Sequence, residues 1–249
     1  MSIKTDEKKQ HFDDIYVAQT PVPFKERIMD ELEYISDDFN RDTFDRLIMP
    51  WVQSQEGRQL NYVDLCACFG NTTMATVYGM GYDSIRENWR DEQACQTIAG
   101  ERRFPCHITG IDISANAMAY GKSSGLFDQI IVSDLNAPKD DEQQAVETAM
   151  READIVISTA SLVYLDTSTI ENLLSAFVAG EGEGYMLVNF LNPFSLDKAD
   201  ATKRLLLEKL DFVGSTATRH RRMSPLEQEN YPGEEWALLE LWVLKRRTA

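Results

Sequence analysis

The chain reads as an α/β protein: a doubly wound, mostly parallel sheet of seven strands with a terminal antiparallel hairpin and an N-terminal helical lid. Three observations predict it. From residue 60 onward, short apolar runs alternate with helical patterns, the signature of a parallel sheet covered on both faces. The first run, Asn61-Tyr62-Val63-Asp64-Leu65, passes through Cys66-Ala67-Cys68-Phe69-Gly70 into Asn71-Thr72-Thr73. That is a strand, a tight turn of small residues and a helix start, whose free amides favour negatively polarised atoms. The last two β-like runs, 212–222 and 236–245, have no helix between them and pair as a hairpin at the sheet edge.

Taken in order, residues 1–12 are charged and expected to be disordered. A proline-started helix over 23–34 carries Phe24, Ile28 and Leu32 on one face. Asp42 or Thr43 is expected to cap a second helix with Phe44, Leu47, Ile48, Trp51 and Val52. Ahead of both, Tyr16 stands in a turn-rich linker, either packed or over a pocket; the expectation is over the pocket. Residues 1–58 form the lid and 59–249 the main domain, with an insert at about 80–104 around Ile85 and Trp89.

Strands follow at 62–65, 107–111, 129–132, 154–158 and 184–190. Ser114 caps a helix ending near Gly125. Ser168-Thr169-Ile170-Glu171 reads as a capping box before a helix that buries Ile170, Leu173, Leu174, Phe177 and Val178. One more helix, over 196–210, precedes the hairpin.

Composition narrows the function. The 249 residues carry a formal charge of −16, which opposes phosphate-rich partners, so a small molecule is favoured over nucleic acid. Arg219-His220-Arg221-Arg222 and Lys245-Arg246-Arg247 read as solvated strand ends. No apolar run reaches the ~20 residues of a membrane span, and the opening MSIKTDEKKQHFDD is too polar for a signal peptide. A soluble cytoplasmic protein is expected. Four cysteines make no disulfide framework, and one Cys-x-Cys without further ligands makes no metal site.

In a doubly wound sheet, ligands sit beyond the carboxyl ends of the strands. Those ends carry Asp64, Asp112, Asp134 and Ser158-Thr159-Ala160. An acid after the second strand can accept both hydroxyls of a ribose, and one after the third can accept the amine of adenine. There is no phosphate-binding G-x-x-x-x-G-K-[ST] loop, so adenosine without phosphates is the natural ligand. Tyr16 and Tyr164 are the aromatics expected nearest the reacting centre. Asn189 and Asn192, at the end of the fifth strand, could bind substrate.

The order of acidic loop, Asp112, Asp134 and terminal hairpin resembles the Rossmann-like class I S-adenosylmethionine-dependent methyltransferases over residues 60–249. The wording DLCACFGNTT with RFPCHITGIDIS is similar to a branch whose loop reads DLCCSYG. The resemblance implies S-adenosylmethionine as cofactor. Asp64, Cys66 and Gly70 would line its methionine part, Asp112 and Ile113 its ribose side, Asp134 and Leu135 its adenine. Ser158 and Thr159 would floor the sulfonium, and Tyr16, Tyr164 and Asn189 would act on substrate. The chain departs from the pattern where Cys66 and Cys68 replace glycines, which is expected to reshape the turn, since a Cβ disfavours positive φ.

A small-molecule methyltransferase is the first expectation. Its rivals are transfer or cyclisation of the aminocarboxypropyl arm, with release of methylthioadenosine, and a non-catalytic partner protein with the lid filling the pocket. A nucleotide-free α/β domain is a further alternative. A dinucleotide dehydrogenase would need glycines where the cysteines stand. Homodimerisation is left open.

Overall fold

The computed structural model describes residues 8–194 and 196–247. Seven strands form one sheet: β1 (Leu60–Leu65), β2 (Cys106–Asp112), β3 (Gln129–Val132), β4 (Ile155–Ser158), β5 (Tyr185–Asn192), β6 (Leu210–Arg222) and β7 (Trp236–Arg246). Their order is β3-β2-β1-β4-β5-β7-β6. The first five run parallel, and β7 is antiparallel to both β5 and β6. The chain reverses its winding between β1 and β4, so a crevice opens where their carboxyl ends diverge.

Alternation along the strands divides the core in two. Tyr62, Ile108, Ile155, Ile157 and Leu187 face one layer, and Val63, Ile111, Val156, Met186 and Val188 face the other. The first layer holds α1 (Asp13–Tyr16), α2 (Val22–Phe24), α3 (Ser36–Leu47), α4 (Met49–Ser54), α5 (Asn71–Val77), α6 (Tyr82–Asn88) and α7 (Ala115–Ser123). The second holds α8 (Asp140–Glu152), α9 (Thr167–Val178) and α10 (Leu196–Lys209). A short α11 (Pro225–Asn230) bridges β6 and β7, inside what reads from sequence as a loop.

Several expectations need correction. Residues 1–7 lie outside the described residues, but Lys9 and Phe12 are buried, so the stretch just before α1 is packed. The helix expected over 23–34 is α2 running into a π-helix over Lys25–Asp30, where Glu31 N–H reaches back to the Glu26 carbonyl at 3.1 Å. Asp42 and Thr43 cap nothing. They lie inside α3, which begins at Ser36, and the break falls at Ile48 because Pro50 has no N–H to continue the ladder. Ser168 is likewise inside α9, whose cap residue is the extended Asp166; its carbonyl accepts from Ile170 at 3.0 Å. Helix α8 escaped the sequence reading because only Val146 and Met150 of its thirteen residues are buried.

The basic runs are not simply solvated. His220 and Arg221 are both buried, because a register shift between Arg219 and Arg221 interrupts the strand's alternation. Arg246 is buried too, with its guanidinium 4.4 Å from the Phe177 ring centroid and donating to the Ala153 carbonyl at 2.9 Å. Only their neighbours keep the surface: Arg222 pairs with Glu33 at 2.6 Å and Arg247 with Asp211 at 3.0 Å. Among the described residues no helix is long and apolar enough to cross a membrane.

Candidate active site

A cavity of about 410 Å³ opens beyond the carboxyl ends of β1, β2 and β4. Its floor is the turn from β1 into α5. Cys66, Cys68 and Gly70 all have positive φ, at 57°, 50° and 80°. The glycine-like turn is therefore kept despite the Cβ atoms, against the expectation that cysteine would reshape it. Each left-handed cysteine costs roughly 1–2 kcal/mol of backbone strain. In return the turn aims the Cys68 N–H at Asp112 Oδ2, 2.8 Å away. Ser114 N–H meets the other oxygen, also at 2.8 Å. Burial raises the Asp112 pKa, and these two amides oppose the rise.

Burial, reinforced by the nearby Asp112, also pushes both thiols up, Cys66 and Cys68 alike, so they are protonated at neutral pH. Neither is a thiolate nucleophile. Asp64 is buried beside them, accepts from the Thr73 hydroxyl at 2.6 Å, and is raised to about 7, chiefly by burial.

The expected residues divide between the cavity wall and the layer behind it. Tyr16, Asp64, Cys66, Asp112, Ile113, Asp134, Leu135, Thr159 and Tyr164 line the cavity. Gly70, Ser158 and Asn189 do not. A Cβ on Gly70 would meet Leu126 Cδ2 at 2.2 Å, so this glycine lets the β1–α5 turn pack against the turn after α7. Ser158 is buried against the Ser161 hydroxyl, 2.5 Å away. Asn189 points beneath the β4 loop, where its Oδ1 accepts the N–H of Ala160, a residue held at φ 55°. Asn192 is exposed outside the wall. Asn189 thus shapes the loop that carries the wall and does not touch what the cavity holds.

The roof comes from parts of the chain far apart in sequence. Lys9, Phe12, Tyr16, Phe24 and Tyr34 line the cavity together with His220 and Arg221 from the end of β6. Tyr16 packs near Phe24 at 6.2 Å between centroids, and burial raises its pKa well above the ordinary value, with Tyr164 and Cys68 adding to the rise. Tyr34 packs edge-on to His220 at 4.9 Å, and the Ser36 hydroxyl lies 3.0 Å from His220 Nδ1. Burial and the adjacent Arg221 and Lys9 push the His220 pKa well down, so the ring is neutral. Arg221 makes two parallel bonds of 2.7 Å with Glu227, and the Gln10 N–H reaches the same carboxylate at 3.0 Å. The beginning of the chain is thereby fastened to its terminal hairpin.

Sequence reasoning missed Lys9, Tyr34, Asn136, His220 and Arg221. The basic run was visible but its burial was not. Asn136 left no signal, yet it joins two loops: its Nδ2 donates to the Tyr164 carbonyl at 2.9 Å and its Oδ1 accepts from Asp166 N–H at 2.8 Å.

No protein-family model matches the chain, and no curated protein matches it. Solved structures with a similar outline include a TehB-like SAM-dependent methyltransferase from Corynebacterium glutamicum ATCC 13032 Kitasato. It is 12% identical, with 79% of this chain and 86% of that one covered and a TM-score of 0.41. Magnesium protoporphyrin IX methyltransferase from Synechocystis PCC 6803, with bound SAM, is 13% identical over 81% and 78%, at 0.42. TehB from Haemophilus influenzae is 13% identical over 84% and 67%, at 0.45. At scores below 0.5 the reading of this site rests on its own residues.

Proposed function

We propose that the protein is an S-adenosylmethionine-dependent methyltransferase acting on a small molecule. The observation that carries the reading is Asp112: a carboxylate at the end of β2, held by two backbone amides, on the wall of a cavity whose next strand end presents Asp134. Each Asp112 oxygen keeps a second lone-pair direction beyond the amide it accepts, which suits the paired hydroxyls of a ribose. Asp134, with half-buried Leu135 and the exposed face of Ile113, offers an acceptor and apolar surface to an adenine. The turn through Cys66 and Cys68 would take the aminoacyl arm, with Thr159 at the sulfonium.

The residues present fit that group. The β1–α5 turn carries no lysine for phosphates, and the roof adds aromatic rings from Phe12, Tyr16, Phe24 and Tyr34. S-adenosylmethionine brings a methyl group already activated by its sulfonium. The chain's own task is therefore to align an acceptor and exclude water. Tyr16 and Tyr164 border the cavity where a cation would be drawn to a π face by roughly 0.5–2 kcal/mol. The helical segment ahead of β1 is the cover, and it leaves a cavity of about 410 Å³ beneath it instead of filling it. That speaks against a partner protein whose own chain plugs the site.

Calorimetry with S-adenosylhomocysteine, NAD and ATP tests the cofactor, and mass spectrometry of the nucleoside product tests the reaction. The expected result is binding of S-adenosylhomocysteine alone, and its formation from S-adenosylmethionine on turnover. Tight NAD binding without S-adenosylhomocysteine binding would overturn the assignment. Methylthioadenosine as the product would replace methyl transfer by chemistry at the aminocarboxypropyl arm.

A further inference from the structure

We infer that the acceptor taken by this cavity carries a carboxylate on an apolar body, and that Lys9 receives it. The inference rests on the methyltransferase reading above. Lys9 is 6% exposed and lines the cavity. Its ammonium donates to the Tyr164 hydroxyl, lies 4.9 Å from the centroid of the same ring and 6.0 Å from that of Phe194. Among the described residues no carboxylate stands within ion-pairing distance of it.

The contrast with Arg221 next to it is informative. Arg221 is 3% exposed, and both arms of its guanidinium are met by Glu227. Burying one charge without a partner costs several kcal/mol, so buried cations are paired as a rule. An ammonium has three donors, and the Tyr164 hydroxyl takes one. A ligand carboxylate would satisfy the rest.

The cavity's own acids do not compete for the position. Asp112 is occupied by amides, Asp64 by Thr73, and Asp134 by the Asn136 N–H at 3.1 Å, these three on the strand-end side. Asp13, on the roof side, is exposed and makes no ion pair with Lys9 among the described residues. Lys9 instead meets residues that follow β4 and β5. Phe12, Leu165 and Leu191 supply apolar wall to the same cavity, which sets the body of the acceptor. The net charge of −16 opposes an anion only on approach, since screening at physiological salt limits its reach to about 8 Å. Inside the cavity the near charges decide.

A carboxylate could also come from the cofactor's aminoacyl arm, and the experiment separates the two sources. The protein is saturated with S-adenosylhomocysteine and titrated calorimetrically with benzoate, phenylacetate and hexanoate, each against its primary amide. At least one acid is expected to bind about tenfold or more tighter than its amide, the strength of a charge-assisted hydrogen bond. Lys9→Met should abolish that preference, Lys9→Arg should keep part of it, and S-adenosylhomocysteine affinity should stay within about twofold of the unsubstituted protein. Equal binding of acid and amide, or no acid binding, overturns the inference without any variant having to fold. So does a Lys9→Met protein that keeps the preference. If Lys9→Met instead weakens S-adenosylhomocysteine and leaves methylthioadenosine, which lacks the carboxylate, unchanged, Lys9 serves the cofactor. Failure of S-adenosylhomocysteine to bind the unsubstituted protein is a different outcome, and it breaks the methyltransferase reading itself.

Discussion

The two sides of the cavity are built on different principles. On the strand-end side, acids sit one per strand and are held by nearby amides and hydroxyls: Asp64 by Thr73, Asp112 by Cys68 and Ser114, Asp134 by Asn136. On the roof side, aromatic rings and cations are held across long stretches of chain, as with Lys9 and Tyr164 or Gln10 and Glu227. The first wall follows from the sheet, because parallel strands must end together and their free amides orient what lies beyond. The second exists only because the segment around Lys9 and Gln10 meets the loop after β4 and the connection between β6 and β7. The wall and the roof should therefore respond differently to substitution.

The largest effect is expected in the roof. Arg221→Met leaves Glu227 buried and uncompensated, with an expected loss of about 3–5 kcal/mol in stability, read from urea unfolding midpoints. The double variant Arg221→Met with Glu227→Leu should recover much of it, because the cost lies in the stranded charge. A single variant as stable as the unsubstituted protein would mean that the pair does not fasten the chain's beginning to the hairpin.

An effect of similar size is expected in the acid wall and the layer behind it, through pH. Asp64 and Asp37 are raised from 3.8 to about 7 in the folded chain, chiefly by burial. Between pH 4 and pH 7 the folded state thus holds protons that the unfolded state has released. The contribution of these two acids falls as pH rises through that window, by about 1.4 kcal/mol per unit for each, and levels off above it. His220, with its pKa pushed down, contributes the opposite slope below its ordinary pKa. Asp64→Asn should remove one group's share, so the difference between the two stability curves should widen toward pH 7. Parallel curves would show that Asp64 titrates normally.

A smaller loss is expected for the ligand contact itself. Asp112→Asn keeps one acceptor oxygen but loses the charge, and S-adenosylhomocysteine should bind about 1–3 kcal/mol more weakly by calorimetry with the fold intact. Unchanged affinity would take Asp112 out of the site.

The smallest effect should come from Cys68→Gly. Removing the Cβ relieves about 1 kcal/mol of left-handed strain, while the added freedom of the unfolded chain takes back roughly 0.5–1 kcal/mol. Thermal stability and S-adenosylhomocysteine affinity should hardly move. A large loss of either would mean that the thiol's packing, beyond the backbone turn, is part of the wall.

What was legible in the sequence is what local patterning controls. Strands β1 to β5 appear as short apolar runs, with acids at or just beyond the ends of the first three, and the closing hairpin appears as two β-like runs. Ser114 does cap α7 as read, accepting from Ala117 N–H at 3.2 Å. The positive φ of Cys66 and Cys68 was not legible. Backbone strain is held by the surrounding fold, not by the residue itself. Gly70 looked like a ligand-facing glycine, but whether a missing Cβ faces a ligand or Leu126 depends on the turn after α7, more than fifty residues away. His220 and Arg221 looked solvated because charge predicts exposure unless a partner waits inside, and that partner, Glu227, closes the capping box Ser224-Pro225-Leu226-Glu227 of a short helix that was read as a loop. By itself the sequence determined the sheet, its winding and the acids at its strand ends, since these follow from local residue patterning. Tertiary structure alone decided the roof: Lys9 and Tyr164 are 155 residues apart with β1 to β4 between them, and no local propensity encodes a contact of that span.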